Sequence, residues 1–297
     1  MGRIFAAALI PVCFSPVFLG AADLTIDHVT VAGKDLKQMQ ARLAAIGIHS
    51  EYGGPHSNHA TQMALTSFPD GSYLELIALQ TDPDVEAVAA HYWAKQMEND
   101  AGPCAWAIRA KDIAASVTSL KASGVPVSDP ARSGRARPDG TNLEWETATL
   151  GPEPNGTFFP FLIQDFTPRP RRAYLSGKPT TKDFGGVAKV VIAVRDLGAS
   201  VTRYRQAFGL EPPIQQVDAS FGAHLALLGG TPVILAEPLN ADSWLIDRIA
   251  RFGEGPCAFI LSVKNAHGNE AAAKTRWFGK DVSWFDADKL GWRLGYE

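Results

Sequence analysis

The sequence has little of what several common classes of protein require. Only 3 of its 297 residues are cysteine, so the chain is not a small scaffold held together by disulfide bonds. Its net charge is −3 and it encodes no broad basic surface, which argues against a nucleic-acid partner. It has no phosphate-binding loop, dinucleotide fingerprint, serine-hydrolase elbow or Cys-x-x-Cys pair. Nucleotide, serine-hydrolase and dithiol chemistry therefore lack support.

Long apolar runs are also scarce, and the clearest one stands at the amino terminus. Arg3 precedes a mostly apolar stretch over residues 4–18, which a Gly-Ala-Ala triplet follows. A short positive start, an apolar centre and small residues before the cleavage point are typical of a secretory signal peptide. Two prolines make a membrane anchor the weaker interpretation. We therefore predict a signal peptide over residues 1–22, export to the periplasm or the extracellular space, and no membrane span after cleavage.

An apolar, β-branched run that closes on Asp-Leu occurs twice, over residues 26–36 and 187–197. Weaker copies begin at Pro103 and Pro256. Each copy predicts a buried strand that leads into a helix, because the Asp side chain can accept hydrogen bonds from the first free N–H groups of that helix. Such repetition indicates an architecture built from copies of one module.

The residues after each copy predict the rest of the module. Apolar side chains at helical spacing follow the first run, and three strand patterns follow the helix, which gives the order βαβββ. The same order follows the copy at Pro103. We therefore predict an α+β fold with two domains of paired modules, over residues 23–167 and 186–297, joined by a linker over 168–185. The one basic cluster, at 169–172, lies in this linker and is expected to be exposed to solvent.

The last module is the least regular one. It begins at Pro256, has little room for three strands, and carries a helical pattern over residues 266–278. We therefore expect the second domain to be partly degenerate, with a truncated last module. Cys104 and Cys257 occupy equivalent repeat positions, each within Gly-Pro-Cys-Ala, and are predicted to be small buried strand residues rather than a disulfide pair.

Five short segments of the amino-terminal half carry a family resemblance through their order. They lie at residues 26–29, 53–56, 73–77, 134–140 together with Trp145, and 160–163. In this order they resemble the glyoxalase-like domain of the vicinal oxygen chelate superfamily, which includes glyoxalase I, extradiol dioxygenases and bleomycin-resistance proteins. The resemblance implies that each domain forms an open, cup-like mixed β-sheet with helices outside, and that the ligand and any metal lie inside the cup.

His28 and Glu75 are polar residues within apolar strand patterns. If Leu74 and Leu76 pack against the helices, the alternation of side chains places Glu75 on the concave face of its sheet. His28 and Glu75 also fall on metal-binding positions of the family that the chain resembles. An imidazole and a carboxylate suit one divalent ion of zinc, manganese, iron or nickel. The resemblance therefore implies that His28 and Glu75 are metal ligands.

The remainder of that metal pattern is missing. The spacing that aligns the second module with His28 leads to Ala105, which cannot bind a metal, and the last strand offers Gln164 or Ile163 where a carboxylate is wanted. Catalytic zinc usually keeps three protein ligands, so the pair alone makes a poor centre. His56 or His59, from a neighbouring loop, could supply a third ligand.

Two other interpretations use the same pair of residues. Without a metal, Glu75 would act as a general base and His28 as its hydrogen-bonding partner. Alternatively, the two side chains only satisfy each other within the strands. Further residues are candidates for lining the cup, and Arg137 could clamp a carboxylate through its planar guanidinium group. The predicted substrate-binding residues are His56, His59, Gln62, Trp106, Arg109, Arg137, Trp145 and Gln164.

The second domain is less promising as a site. Lys189 stands at the position of His28, and the position of Glu75 falls on Leu235. This departs from extradiol dioxygenases, whose iron site the resemblance places in the second domain, so that activity is disfavoured. Conventional glyoxalase I activity is disfavoured because the ligand set is incomplete. The second domain is expected to complete the pocket or to stabilise the fold.

Two functions remain, and both require a small-molecule ligand. The first is a lyase- or isomerase-type enzyme that acts on a small oxygenated or carboxylate-bearing molecule, with Glu75 as base and His28 as partner or metal ligand. The second is a protein that binds and sequesters a small molecule without chemistry, as bleomycin-resistance proteins do. Either protein would be a monomer or a homodimer.

Overall fold

The computed structural model describes residues 24–137, 140–265 and 271–297. The predicted signal peptide over residues 1–22 lies outside these ranges. The strands of the first half are β1 (Ile26–Ala32), β2 (Glu51–Pro55), β3 (Thr61–Ser67), β4 (Tyr73–Leu79), β5 (Gly102–Arg109), β6 (Ala131–Ala136), β7 (Asn142–Ala148) and β8 (Phe161–Asp165). Its helices are α1 (Leu36–Ala45), α2 (Val85–Ala89), α3 (Ala94–Glu98), α4 (Ile113–Ala122) and α5 (Arg169–Ala173).

The second half repeats the eight strands and differs in its helices. Its strands are β9 (Phe184–Ala193), β10 (Ile214–Asp218), β11 (Ala223–Leu227), β12 (Val233–Pro238), β13 (Gly255–Val263), β14 (Ala273–Trp277), β15 (Lys280–Trp284) and β16 (Arg293–Tyr296). Its helices are α6 (Leu197–Phe208), α7 (Trp244–Phe252) and α8 (Ala287–Leu290). Among the residues that the structure describes, no helix is both long enough and apolar enough to span a bilayer.

Three of the repeated strands lead into capped helices, as the sequence predicts. The side chains of Asp35, Asp112 and Asp196 each accept a hydrogen bond from the backbone N–H three residues later. Each Asp thereby satisfies one of the N–H groups that has no partner within the helix. The caps fix where α1, α4 and α6 begin.

Each domain is one curled sheet of eight strands. The first sheet has the order β2-β3-β4-β1-β5-β8-β7-β6, and the second has the equivalent order β10-β11-β12-β9-β13-β16-β15-β14. The first strands of the two modules pair antiparallel, while each pairs in parallel with the last strand of its own module. The structure thus confirms an α+β fold of two domains built from paired modules.

The helices α1, α4 and α6 cover the convex faces of the sheets. Leu43 of α1, Val117 of α4 and Phe208 of α6 belong to one continuous apolar cluster that draws residues from both domains. Because the two domains share this core, each covers apolar surface of the other. The concave faces are left free to hold other side chains.

The last module differs from its prediction. Residues 273–277 form strand β14 and not the end of a helix over 266–278. Ala273 pairs with Trp284 of β15, and Trp277 is only 2% exposed, so strand alternation and not helical spacing explains the pattern. The module has all three strands after β13. The shortened part is the connection from β13 to β14, which has fewer residues than the equivalent connection from β5 to β6.

The basic cluster at residues 169–172 is also not the exposed linker that its composition predicts. It forms helix α5, and Arg172 is only 4% exposed. Arg172 forms ion pairs with Asp27 and Asp165. These counter-charges lie far away in the sequence or on another element, so composition alone could not reveal them.

Candidate active site

The concave face of the first sheet encloses a cavity of about 200 Å³, called the leading cavity below. Strands from both modules and the connection between α2 and α3 form its walls. Its charged and ionisable lining residues are His28, His56, Glu75, His91, Arg135 and Arg172. Its aromatic lining residues are Tyr73, Tyr92, Trp93, Trp145 and Phe161.

Strand β1 has a β-bulge where it meets the cavity. Ile26 pairs with Ile108 and His28 pairs with Ala107, so Asp27 is an extra residue on β1. Neighbouring residues of a regular strand point to opposite faces, whereas a bulge can bring two neighbours together. As a result, Oδ1 of Asp27 lies 2.7 Å from Nδ1 of His28.

Two arginines of helix α5 hold Asp27 in its ionised form. Nη2 of Arg172 donates to Oδ2 of Asp27 at 2.8 Å, and Arg169 donates to the same oxygen. Burial alone would raise the pKa of Asp27, but Arg172, His28 and Arg169 outweigh burial and hold this pKa well below its usual range. An ionised carboxylate can only accept hydrogen bonds. Nδ1 of His28 therefore carries a proton, and its Nε2 is left to face Glu75.

The carboxylate of Glu75 lies between two imidazoles. Its Oε2 is 3.8 Å from Nε2 of His28, and its Oε1 is 3.6 Å from Nε2 of His56. The hydroxyl of Thr30 donates to Oε2 at 3.4 Å. The side chain of Glu75 is 14% exposed, so a molecule in the leading cavity can reach the carboxylate.

Two further histidines of the leading cavity are neutral near pH 7. Burial lowers the pKa of His56, and Arg135 lowers it further, while Glu75 opposes them. Burial, together with His56, likewise lowers the pKa of His91. Nδ1 of His56 lies 2.7 Å from the hydroxyl oxygen of Thr61, which fixes the ring.

The ring of His28 is held in place by aromatic neighbours. It stacks on Tyr73 with 4.8 Å between ring centroids and meets the edge of Phe161 at 5.3 Å. The hydroxyl of Tyr73 accepts a hydrogen bond from Arg172, and burial raises the pKa of Tyr73. The phenol therefore keeps its proton, and His28 is held by these two rings and through its Nδ1 atom.

The structure brings four of the predicted residues to the leading cavity. Leu74 and Leu76 pack in the core against the helices, so strand alternation turns the residue between them to the concave face. The four residues are His28, His56, Glu75 and Trp145.

The other six predicted residues lie away from the cavity. Trp106 is completely buried in the core on the convex face, because β5 turns it towards the helices. Gln62 donates to the carbonyl of Leu79 at 2.9 Å. His59 is exposed in a loop, with a positive φ of 56°.

The remaining three of these six residues also bind backbone groups away from the cavity. Gln164 accepts a hydrogen bond at 2.7 Å from the first N–H of helix α4. Arg109 donates to the carbonyl of Asp70 at 3.1 Å. Arg137 donates to the carbonyl of Arg171 at 3.0 Å, so its guanidinium group braces the segment after β8 and is not directed at the leading cavity.

Sequence reasoning missed five residues that shape the site. Asp27 was adjacent to His28, but the bulge that brings them together left no pattern. Arg135 and Ser133 alternate on β6, and this spacing could have placed both on one face. Tyr73 and Arg172 could not have been found in this way, since their roles depend on contacts between distant segments.

The donors present do not fit a metal centre. Among the residues in the described ranges, no group of three or more His, Cys, Asp or Glu side chains is arranged to hold a metal ion. The carboxylate of Glu75 separates the imidazoles of His28 and His56, whereas ligands of one ion must converge on a common point. Strand β8 contributes Phe161 and Ile163 to the cavity, and neither side chain can bind a metal.

Comparison with known proteins agrees with this architecture. The profile of the family described as Glyoxalase-like domain matches residues 26–186, more than half of the chain. No curated protein matches the chain. The crystal structure of a hypothetical protein from Staphylococcus aureus is 15% identical, with a TM-score of 0.64 over 92% of this chain and 98% of that one.

Shorter proteins match part of the chain. Methylmalonyl-CoA epimerase of Streptomyces coelicolor, in complex with 2-nitronate-propionyl-CoA, is 21% identical over 37% of this chain and 94% of that one, with a TM-score of 0.33. The epimerase of Mycobacterium tuberculosis is 16% identical over 39% of this chain and 89% of that one, with a TM-score of 0.34. The Staphylococcus structure shares the two-domain fold, and the profile match identifies the family. The chain belongs to the glyoxalase-like domain family.

Proposed function

We propose that the chain is an exported lyase- or isomerase-type enzyme in which Glu75 acts as a general base on a small oxygenated or carboxylate-bearing molecule. The supporting observation is the position of Glu75, whose carboxylate lies on the wall of the leading cavity between Nε2 of His28 and Nε2 of His56. Export is proposed from the amino-terminal pattern over residues 1–22.

The reaction begins with loss of a proton from carbon. Glu75 takes the proton from the carbon next to a carbonyl or carboxyl group, and the C–H electron pair moves into that group to form an enolate. His56 is neutral and can donate one hydrogen bond, which stabilises the enolate oxygen. No step requires a metal or an oxidant.

His28 is the proton partner of the base. Asp27 accepts the Nδ1 proton, so Nε2 is the nitrogen of His28 that faces Glu75, at 3.8 Å. The proton can pass from Glu75 to Nε2 and return to the enolate carbon. Return to the opposite face of that carbon gives an isomerase, whereas departure of a group from the neighbouring carbon gives a lyase.

Solvent deuterium exchange tests this proposal. Proton NMR of small 2-hydroxy and 2-oxo acids in deuterium oxide should show enzyme-dependent loss of the signal next to the carboxyl or carbonyl group. Glu75→Gln should slow this loss about 100-fold or more. Glu144→Gln is the matched control, because Glu144 is an exposed carboxylate of the same sheet, and it should exchange at the wild-type rate. Exchange that survives in Glu75→Gln contradicts the proposal.

The aromatic walls of the cavity favour a second candidate function, which is binding without chemistry. Tyr92, Trp93 and Trp145 offer ring surfaces to a small ligand. In that case no acid in the panel would exchange, and a ligand would bind equally well to the wild type and to Glu75→Gln. The two functions therefore give opposite results in the same pair of proteins.

A further inference from the structure

Two arginines line the leading cavity, and within the described part of the chain only one of them has carboxylate partners. Arg172 is neutralised by the carboxylates of Asp27 and Asp165. Arg135 has no carboxylate of the described residues within 4 Å, and its nearest polar contact is the carbonyl of Gly53, which accepts from Nη1 at 3.0 Å. Arg135 is the guanidinium of this cavity that retains an unpaired charge.

Arg135 is also nearly removed from solvent. It is 9% exposed, and burial lowers its pKa, although Tyr73 and Glu75 act in the opposite direction. A buried charge without a counter-ion is unfavourable unless a partner arrives. Nε and Nη2 of Arg135 form no hydrogen bond with another described residue, so two donor nitrogens remain for such a partner.

The surroundings of Arg135 keep space for its side chain. Position 53 on β2 is glycine, and a Cβ there would collide with Met63 and lie 3.1 Å from Nη1 of Arg135. Strand alternation on β6 turns Ser133 and Arg135 to the same face, where both line the cavity. Nη1 is therefore held by β2, while the side chain of Arg135 lines the cavity.

We propose that Arg135 binds the carboxylate of a small organic acid and orients it towards Glu75. This inference rests on the proposed function for the role of Glu75, and it adds the substrate class. A guanidinium group matches a carboxylate through two parallel hydrogen bonds. The cavity of about 200 Å³ is below the usual range of roughly 300–1,000 Å³ for ligand pockets, so the acid is a short one.

Binding of two molecules that differ only in charge tests this assignment. Calorimetric titration with lactate and with lactamide compares a carboxylate with its neutral amide at nearly equal size. Wild-type protein should bind lactate at least about tenfold more tightly, as expected for a charge-assisted hydrogen bond. Arg135→Met should lose this preference, and Arg135→Lys should keep part of it. Equal binding of the two probes by the wild type, or binding of neither, overturns the proposal.

Control variants separate the anion site from general effects and from catalysis. Arg132→Gln removes an exposed arginine of the same strand and should keep the lactate preference. If the thermal midpoint shows that Arg135→Met does not fold, the proposal is tested by two other measurements. These are the lactate and lactamide affinities of the wild type and those of Arg135→Lys. Inorganic phosphate that binds more tightly than lactate, with the same dependence on Arg135, overturns the choice of a carboxylate.

Glu75→Gln distinguishes a failure of this proposal from a failure of the proposed function. It should keep or increase the lactate preference, because a negative charge near the ligand is removed. A lactate preference without any deuterium exchange would leave the anion site standing and refute the catalytic role of Glu75. Deuterium exchange that depends on Glu75, without a lactate preference, would support the catalytic role of Glu75 and refute the anion site at Arg135.

Discussion

The two domains share one strand order and differ in what occupies the concave face of the sheet. In the first domain this face carries the leading cavity with its ionisable side chains. In the second domain it carries an apolar cluster, the filled cup, which includes Ile234, Phe221, Trp277 and Trp284. The fold therefore does not decide whether a cavity forms. The side chains at equivalent positions decide it.

The registers of the strands give these equivalent positions directly. Thr30 pairs with Glu75 between β1 and β4, and Val191 pairs with Ile234 between β9 and β12. Ile234 is therefore the counterpart of Glu75. The repeat spacing in the sequence predicted Leu235 at this position, one residue too far, and Leu235 in fact packs in the core on the convex face.

Even the bulge is repeated in the second domain. Ile260 pairs with Lys189 and Leu261 with Val187, so Ala188 is an extra residue on β9 as Asp27 is on β1. The bulge is thus a property of the fold. What distinguishes the first domain is that an acid and a histidine stand on it, where the second has alanine and lysine.

Replacing Ile234 by the residue type of its counterpart Glu75 should have the largest effect on stability. Ile234→Glu places a carboxylate in an apolar cluster where the residue it replaces is only 2% exposed. We expect it to lower the free energy of unfolding by about 5 kcal/mol or more, because the charge has no partner there. Urea unfolding followed by tryptophan fluorescence measures this change.

The reciprocal variant is the control for that comparison. Glu75→Ile should change the free energy of unfolding by about 1 kcal/mol or less, because the cavity has room for an apolar side chain. If Ile234→Glu is as stable as Glu75→Ile, the filled cup has space or water for a carboxylate. The claim that only the first domain has a cavity on its concave face would then be wrong.

The loss of stability at low pH should show a second difference between the two domains, and its size should be intermediate. The folded-state pKa of Asp27 lies well below 3.8, so the stabilisation it provides is complete above about pH 4 and is lost as the pH falls through the folded pKa. Asp27→Asn should cost about 3 kcal/mol at pH 7, because Arg169 and Arg172 lose a buried counter-charge. It should also flatten the fall in stability below pH 4.

Asp218 of the second domain is the matched control for this pH dependence. Burial alone would raise its pKa, but hydrogen bonds from Ser220, Phe221 and Trp277 lower it. No arginine pairs with it among the described residues. Asp218→Asn should therefore reduce the fall in stability below pH 4 less than Asp27→Asn does. An equal effect of the two variants, measured by urea midpoints from pH 2 to pH 7, would contradict the role of the arginines.

The sequence was most informative where one segment alone determines the structure. The β-branched runs and capping aspartates predicted strands and helix starts, and alternation around Leu74 and Leu76 turned Glu75 inwards. Prediction failed where the outcome depended on partners from elsewhere. The counter-ions of Arg172, the bulge at Asp27 and the position of Arg135 opposite Gly53 require the assembled sheet, and no local pattern encodes them.

Removal of metal should give the smallest effect. Dialysis against a chelator should change the exchange rate by about twofold or less, because Glu75 lies between His28 and His56 and the three donors do not converge on one point. Elemental analysis of the undialysed protein is the matching measurement. One ion per chain that disappears in both His28→Ala and Glu75→Ala would mean that these side chains rearrange around a metal. In that case the difference between the two concave faces would be the presence of a metal centre and not that of a carboxylate base.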